Sequence, residues 1–418
     1  MKKIELEIKA LSPLAIGRQK PGGNISEVET FIPGSVIRGA VASQILKEAN
    51  QEVEENDDFH KLFLSENPAI FQNAYPGDDQ PKNDKIKSEV RVIPATALSS
   101  KNKPGFKSSK SSKGNGVFDT LIDRFCAENY GQIYDFNCPG EANILEGDRV
   151  DNFTGFYSQN SSIYAKNSVN SRLLTRVGIN RRRATSEEQV LYSIEVLNES
   201  EERGKKPKSI IFKSAILVPD DLLDSLYTFI HNHQNNFRLG GASSRGLGKV
   251  QITAKKQTEI KSNLDDRINQ FNQKLRTRWN EWGNIFGKIS EIPKNRIYFT
   301  IDLQADAILS ENWRRTTVIS EAMLQQVTGV EDSSLQLHTA YSSYDYRSGW
   351  NTAWGLMKDV ELVTNRGGVY LFSTDNKDLW LNAWENLEVY GIGERTSEGF
   401  GQVQVCNEFH LILREEAK

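Results

Sequence analysis

Two glycine-rich segments with nearly the same sequence hold the residues best suited to ligand chemistry in this 418-residue chain. Residues 240–250 read GGASSRGLGKV, and residues 393–403 read GERTSEGFGQV. Glycine reaches positive φ without strain and lets the backbone approach a ligand closely, so that bare N–H groups can bind phosphate oxygens. The repeated spacing predicts two phosphate-binding loops, and a tight helix-to-strand connection is the alternative for either copy.

The charges around the two segments differ. Arg245 and Lys249 of the first segment can attract a phosphate, whereas Glu394 and Glu398 flank Arg395 in the second. Because carboxylates repel phosphate, the sequence favours binding at the first segment and a structural role for the second.

A basic stretch precedes the first glycine-rich segment. Six basic residues and no acidic residue lie between Lys166 and Arg183. Arginine offers a forked, permanently charged group that suits phosphate, so this stretch predicts nucleic-acid contacts, with a solvated charged turn as the alternative. Five lysines in residues 101–113 could track RNA or a neighbouring subunit, but a solvated loop is the commoner explanation for such a composition.

The start of the first helix is a further candidate. Ser35 is expected to cap a helix over the apolar run of residues 36–45, and Arg38 lies in its first turn. The positive end of the helix dipole favours an anion there, although a plain helix cap explains the pattern equally well.

Two tryptophans form the last candidate. Trp350 and Trp354 flank Asn351, and an exposed indole can stack on an unpaired base. A core or interface position is the more common role of tryptophan.

Catalysis has little support. The five histidines lie in no recognisable catalytic setting, and His60, in an acidic part of the chain, is the one to test for nuclease activity. The pairs Asp57-Asp58 and Asp220-Asp221 fit a solvated loop and a helix start better than a two-metal site. We therefore expect no catalytic residue, no metal and no cofactor.

Composition bounds the class of protein. Hydrophobic residues make up 38% of the chain and charged residues 26%, with a net charge of −3 and a mean hydropathy of −0.54. These values exclude membrane-spanning and disordered chains and predict a soluble protein of about two domains. Three cysteines are too few for a disulfide framework, and residues 1–8 lack the apolar run of a signal peptide, so we expect a cytoplasmic protein.

Hydrophobic periodicity predicts a strand at 3–10, a helix after residue 34 and a polar insertion over about 50–185. A hairpin of strands 189–197 and 209–218, a helix from 219 and a strand at 247–253 follow. This order is the ferredoxin-like βαββαβ arrangement. An amphipathic helix at 263–286 is expected to pack between two domains. A similar series follows, with strands near 296–303, 341–346, 368–372 and 402–405 and helices at 320–327 and 377–387.

The fold class predicted is thus α+β, with two ferredoxin-like (RRM-like) domains that each end in a glycine-rich loop. The expected boundaries are residues 1–260 for the first domain with its insertion, 261–290 for the linking helix and 291–418 for the second domain.

With its two glycine-rich loops, the chain resembles the RAMP superfamily of CRISPR-associated proteins. Residues 31–40 look like the start of the family's first helix, and residues 176–185 with Leu191-Tyr192 look like its basic hairpin. Residues 349–356 and 367–372 are similar to segments of double-domain members. The length, Ser12-Pro13-Leu14 and the long insertion look most like the RAMP subunit of type III-D effector complexes.

The resemblance implies a non-catalytic subunit that binds the repeat-derived 5′ tag of a guide RNA. The implied partners are the large signature subunit and the backbone RAMP subunits of an effector complex, with no membrane. The expected RNA contacts are Ser35, Arg38, Arg172, Arg176, Arg181, Arg182, Arg183, Gly241, Ser243, Ser244, Arg245, Gly246, Gly248, Lys249, Trp350, Asn351, Trp354, Gly391, Gly393 and Arg395.

Three other functions stay open from the sequence. A metal-independent endoribonuclease that processes CRISPR repeat RNA would need one of the histidines. A guide-lining backbone subunit usually has one ferredoxin-like domain, which the duplicated loop argues against. A purely structural scaffold would assemble without any dependence on salt.

Overall fold

The computed structural model of the protein describes residues 1–18, 27–49, 57–77, 89–107, 114–138, 149–160, 163–180, 185–203, 206–257, 263–287, 291–348, 350–351 and 355–418. The α-helices described are α1 (Gly34–Glu48), α2 (Asp58–Phe63), α3 (Leu121–Asn129), α4 (Leu223–Asn232), α5 (Leu264–Phe286), α6 (Glu321–Thr328) and α7 (Lys377–Tyr390). None of these helices is both long enough and apolar enough to cross a membrane.

An antiparallel sheet, the first sheet, organises the N-terminal part of the chain. Its strands in spatial order are Val250–Gln257, Lys2–Ala10, Ile211–Val218 and the short pair Ile70–Phe71 and Tyr75–Gly77. The first strand buries Ile4, Leu6 and Ile8 on one face, because successive side chains of a strand point to opposite faces. α1 and α4 pack their apolar residues on that face. The predicted strand at 3–10 and helix after residue 34 are thus confirmed.

The predicted hairpin of 189–197 with 209–218 is wrong. Thr185–Leu197 pairs with Ser171–Asn180 in a separate two-stranded sheet, here called the basic hairpin. Ile211–Val218 pairs with Lys2–Ala10 on one side. On its other side it pairs with residues 70–77, which lie inside the stretch expected as an insertion. The expected turn between the two strands itself pairs, as Ser200–Arg203 with Lys206–Ser209. An alternating pattern identifies a strand but not its partner, and here the partner is far away in sequence.

A second antiparallel sheet organises the C-terminal part, with the same order of elements along the chain. Its strands in spatial order are Gln336–Tyr341, Val369–Thr374, Ile297–Leu303 and Val403–Val405. α6 begins after Ser320, whose hydroxyl accepts the Met323 N–H at 3.0 Å as an N-cap. α6 and α7 cover this sheet, and the buried indoles of Trp380 and Trp384 fill its core.

The remaining strands described form small sheets. They are Gly17–Arg18 with Glu27–Val28; Val90–Val92, Phe156–Asn160 and Ile163–Asn167; Ala97–Ser100, Val117–Asp119 and Val150–Asn152; Leu309–Glu311 with Arg314–Thr316; Tyr344–Arg347 with Glu361–Thr364; and Trp350–Asn351 with Leu356–Met357. The chain is therefore a mixed α/β fold with several sheets.

The long helix α5 belongs to the core of the second sheet. Its buried residues, Ile268, Phe271 and Leu275 among them, share one apolar cluster with that sheet and with α3. At one end Arg278 donates to the buried Asp123 of α3 at 2.6 Å. The helix predicted to lie between two domains therefore packs between the second sheet and α3.

A buried ionic cluster joins the two parts of the chain. Asp306 binds the guanidinium of Arg366 at 3.3 Å and is paired with Arg347. Arg347 also binds Glu29, from the N-terminal part, at 3.1 Å. Arg366 lies over the ring of Phe31, 4.5 Å from its centroid, so charge and aromatic contacts meet at this junction.

Candidate nucleic-acid interface

The two glycine-rich segments have the same backbone conformation. A left-handed residue, Ala242 with φ 54° or Arg395 with φ 56°, precedes a 3-10 turn at Ser243–Arg245 or Thr396–Glu398. A left-handed glycine, Gly246 or Gly399, closes each turn. The sequence repeat is therefore a structural repeat.

Close packing explains the glycines at the edges of each loop. A Cβ atom on Gly240 would lie 2.5 Å from the Ala15 carbonyl oxygen, and Gly393 is packed as tightly against Ile308. A Cβ on Gly248 would lie 2.5 Å from the Leu239 carbonyl oxygen, and one on Gly391 would lie 2.6 Å from that of Gly401. Both loops are thus held rigidly against the strands beside them.

The turn of the second loop packs against other segments of the same chain. A Cβ on Gly399 would lie 2.8 Å from the Phe71 carbonyl oxygen, and one on Gly34 would lie 2.8 Å from that of Glu398. Asn73 ties the contact together, because its amide donates to the Gly399 carbonyl at 3.0 Å and its Oδ1 accepts the Gly34 N–H at 2.8 Å. The second loop therefore docks on the start of α1.

This docking corrects the prediction for Ser35. Pro33 stands at the N-cap position without a side-chain hydrogen bond, and Asn73 supplies the acceptor that Ser35 was expected to provide. Arg38 donates to the Phe63 carbonyl at 2.7 Å and lies over the Phe63 ring. The end of α1 that was expected to bind a phosphate is thus occupied by the chain itself.

We predict that the second loop tolerates no side chain at Gly34. Alanine there would overlap the Phe71 carbonyl oxygen and lie 2.8 Å from the Glu398 carbonyl oxygen of the second loop, so Gly34→Ala should lower the free energy of unfolding by about 1–3 kcal/mol. Gly39→Ala is the matched control in the same helix, because nothing lies within 4 Å of its added Cβ. That variant should gain up to about 1 kcal/mol. Urea denaturation compares the two, and equal effects would contradict the docking contact.

Arg395 of the second loop is neutralised within the chain. Its guanidinium donates to the Glu398 carboxylate at 2.6 Å and lies over the Phe400 ring. Glu394 is paired with Arg315. Gly393 and Arg395 are exposed and Gly391 is half-buried, so the charge of Arg395 is paired although its side chain is reached by solvent.

The first loop faces solvent instead. Gly241, Ser243, Ser244, Arg245, Gly246 and Lys249 are exposed, and Gly248 is buried beneath them. No described acid pairs with Arg245 or Lys249. The turn that is covered in the second loop is thus exposed to solvent in the first loop.

Arg245 links this loop to the basic hairpin. Its Nη1 donates to the Tyr192 hydroxyl at 2.9 Å, and its guanidinium lies 5.4 Å from the centroid of that ring. Tyr192 lies opposite Arg176 in the register of the hairpin. Arg172, by contrast, binds Glu199 at 2.8 Å. Arg181, Arg182 and Arg183 lie outside the described residues.

A cleft of about 420 Å³ opens beside the first loop. Lys47 of α1, Arg238 and Lys249 bring three cations to it, and no ion pair to a described acid neutralises them. The amides of Gln44, Asn235 and Asn236 complete its polar lining. Amides and cations together suit a phosphate and the polar edge of a base. Lys47 was not predictable from the sequence, because nothing local relates α1 to residue 249, whereas Arg238 lies beside the glycines and could have been found.

The tryptophan prediction is only partly covered by the structure. Trp350 and Asn351 form a short strand with Leu356–Met357, and their side chains lie outside the described residues, as does the whole of Trp354.

The histidines do not converge on a common site. His410 is buried between Asp119 and Asp302, and His338 lies against Tyr298 and Phe125, where burial and Arg296 lower its pKa to about 4. The others are dispersed: His233 binds Glu48, His231 stacks on Tyr227, and His60 lies in α2. In the part of the chain that the structure describes, no three His, Cys, Asp or Glu side chains are grouped to hold a metal ion.

Comparison with known proteins identifies a matching family. The family model described as the RAMP superfamily matches residues 7–251, more than half of the chain. A search of curated proteins returns no match.

Among solved structures, a chain of the type III-B Cmr-beta complex bound to cognate target RNA and AMPPnP is similar, with 11% identity and a TM-score of 0.38. The match covers 88% of this chain and 86% of that one. A chain of a Cas6 product complex matches with 13% identity and a TM-score of 0.27, over 50% of this chain and 82% of that one.

Proposed function

The chain belongs to the RAMP superfamily, and from this premise we propose that it is a non-catalytic, guide-RNA-binding subunit of a type III CRISPR effector complex. It holds the repeat-derived 5′ tag and contacts the large signature subunit and the backbone subunits, as the resemblance to type III-D RAMP subunits implies. Its RNA contacts are mostly to the phosphate backbone.

The two halves are, in this proposal, ferredoxin-like domains over about 1–260 and 291–418, joined by α5. The strand orders support this, because in each main sheet the first strand lies between the third and the fourth, and the second strand is at the edge. An inserted segment between the first helix and the third strand accounts for the greater length of the first half.

One observation carries the assignment of the RNA site: two loops with the same backbone have opposite surroundings. The turn that ends at Gly399 in the second loop is covered by the start of α1, and the charges of Glu394 and Arg395 are paired, whereas the same turn of the first loop is exposed beside Arg245, Lys249 and the basic cleft. The N–H groups of Gly241, Gly246 and Gly248 donate to carbonyl oxygens of the chain itself, so the expectation of bare glycine N–H groups is wrong. The first loop offers a phosphate its unpaired cations and the exposed Ser243 and Ser244 instead. The RNA path proposed here runs from the cleft over the first loop to Arg176 and Tyr192 of the basic hairpin.

This proposal predicts the effect of removing the two cations of the first loop. Arg245→Ala and Lys249→Ala should each weaken binding of radiolabelled repeat-spacer RNA by about tenfold, because each removes a charge-assisted hydrogen bond to phosphate. Each should also reduce the salt slope of the binding constant by about 0.7 for each phosphate that the variant no longer neutralises. Arg395→Ala is the matched control in the second loop and should leave the affinity unchanged.

Binding is to be measured by filter retention at several salt concentrations, with and without EDTA. Salt-independent affinity of wild type, or equal reductions of affinity in the Arg245 and Arg395 variants, would contradict the RNA site. Cleavage of the repeat RNA that persists in EDTA and is abolished in His60→Ala would contradict the non-catalytic role and assign the chain to the processing endoribonucleases.

A further inference from the structure

Trp313 stands at the tip of a small hairpin and is fully exposed to solvent. The hairpin, here called the tryptophan hairpin, consists of the strands Leu309–Glu311 and Arg314–Thr316 joined by Asn312 and Trp313. The other tryptophans whose side chains are described, Trp279, Trp282, Trp380 and Trp384, are buried. Exposing an indole forgoes the free energy of burying a large apolar surface.

The backbone of the turn makes the choice of tryptophan more unusual. Asn312 has φ 49° and Trp313 has φ 62°, so both central residues of the turn are left-handed. A two-residue turn of this kind favours Asn-Gly, because a side chain at positive φ is strained. Neither burial nor turn geometry therefore explains a tryptophan at position 313, and a strained, exposed residue of this kind points to a function outside the fold.

The strands of the tryptophan hairpin are held by contacts to the C-terminal part of the chain. Arg315 binds the Glu361 carboxylate at 2.9 Å and is also paired with Glu394 of the second loop. The Ser320 hydroxyl donates to Glu311. These contacts hold the strands of the hairpin and leave its tip free, so the indole is presented from a rigid support.

The chemistry at the tip suits RNA. Arg314 follows Trp313 in the chain, is exposed and has no ion pair to a described acid, so an unpaired cation accompanies the indole at the tip. Leu309, the other large apolar residue of the hairpin, is buried. A tryptophan that binds a pocket of a partner protein is normally surrounded by further apolar contacts, and this hairpin exposes no other large apolar side chain. Stacking on a base needs only the ring face, and a phosphate needs only the neighbouring cation.

We propose that Trp313 stacks on an unpaired base of bound RNA while Arg314 contacts an adjacent phosphate. The inference rests on the proposed RNA-binding function. It adds an RNA contact in the C-terminal part of the chain, separate from the first glycine-rich loop. Because every base has a π face, this contact is tolerant of sequence.

The decisive variant is Trp313→Gly, which converts the turn to Asn-Gly. The melting temperature should stay the same or rise, because the strain at position 313 is removed. The affinity for single-stranded repeat-spacer RNA should fall by about 5- to 150-fold, the usual reduction for one stacked base. Trp313→Phe should retain part of the affinity, and Leu379→Ala, at an exposed position of α7, should change neither quantity.

Direct stacking is measured with the same RNA carrying 2-aminopurine at successive positions. We expect wild type to quench the fluorescence at one or a few positions and Trp313→Gly to abolish that quenching. Loss of affinity together with loss of quenching supports the inference.

Four results would overturn it. Unchanged RNA affinity in Trp313→Gly, with wild type binding normally, rejects the stacking role and leaves the proposed function intact. A lower melting temperature of Trp313→Gly would identify a structural side chain. Unchanged RNA affinity with loss of a neighbouring subunit on purification would assign Trp313 to a protein contact. Failure of wild type to bind RNA would reject the proposed function and this inference together.

Discussion

His410→Leu is expected to lower the free energy of unfolding by about 3–5 kcal/mol, because it removes the cation from between two buried carboxylates. The imidazole Nε2 donates to Asp302 at 2.7 Å, and Nδ1 lies 3.1 Å from Asp119. All three side chains are buried. Asp119 also accepts the Thr96 hydroxyl at 2.6 Å, so the cluster joins residues 96–119, the second sheet and the 3-10 turn Glu408–Leu411.

The same cluster predicts how stability depends on pH. Although burial by itself lowers the pKa of His410, Asp302 and Asp119 outweigh it and raise that pKa to about 10. In the unfolded chain the pKa of histidine is about 6.5. The contribution of His410 is therefore complete below about pH 6.5 and is lost as the pH rises through about 10. The difference in stability between wild type and His410→Leu should shrink over this interval.

Urea denaturation of both proteins at several pH values tests this expectation. Other groups that titrate in this interval are common to both proteins and cancel in the difference. His231→Leu is the control at an exposed histidine and should change stability by less than about 0.5 kcal/mol. Asp119→Asn in the His410→Leu background should cost less than Asp119→Asn in wild type. A stability difference that is constant with pH would rule out a charged His410.

Asp306→Asn is expected to cost about 3 kcal/mol or more, since it leaves Arg347 and Arg366 near each other without their shared carboxylate. Burial by itself raises the pKa of Asp306, but Arg366 and Arg347 outweigh it and hold that pKa below its ordinary value. The contribution of Asp306 is thus present above about pH 4 and is lost as the pH falls through the lowered pKa.

Asp224→Asn is the matched control. Asp224 is an exposed carboxylate paired with Lys256, so its loss should cost at most about 1 kcal/mol. The two variants are compared by urea denaturation at pH 7 and at several pH values below about 4, where the cost of Asp306→Asn should shrink. If Asp306→Asn were no more costly than the control, the ionic cluster would not hold the two parts of the chain together.

Local features of the chain were predictable from sequence alone. The repeat of the glycine-rich segments predicted a common loop, and the structure confirms it in the paired left-handed residues Ala242 and Arg395. The alternation at residues 3–10 and the spacing of apolar residues in α5 and α7 identified these elements, because both periods follow directly from strand and helix geometry. The acids around Arg395 predicted that the charges of the second loop are balanced, and Glu398 does pair with Arg395.

The partners of these elements were decided only by the tertiary structure. Nothing local to the strand at 211–218 marks residues 70–77 as its neighbour, and nothing local to Ser35 indicates that Asn73 caps α1 while Gly399 covers it. The pairing of Arg245 with Tyr192 and the convergence of Lys47 with Lys249 likewise join residues remote in sequence. A local sequence determines which backbone conformations are accessible, whereas the exposure of a loop depends on which distant segments pack against it. For this reason the sequence specified two loops with a common backbone and different charges, and only the fold decided which of the two turns is covered by a distant segment.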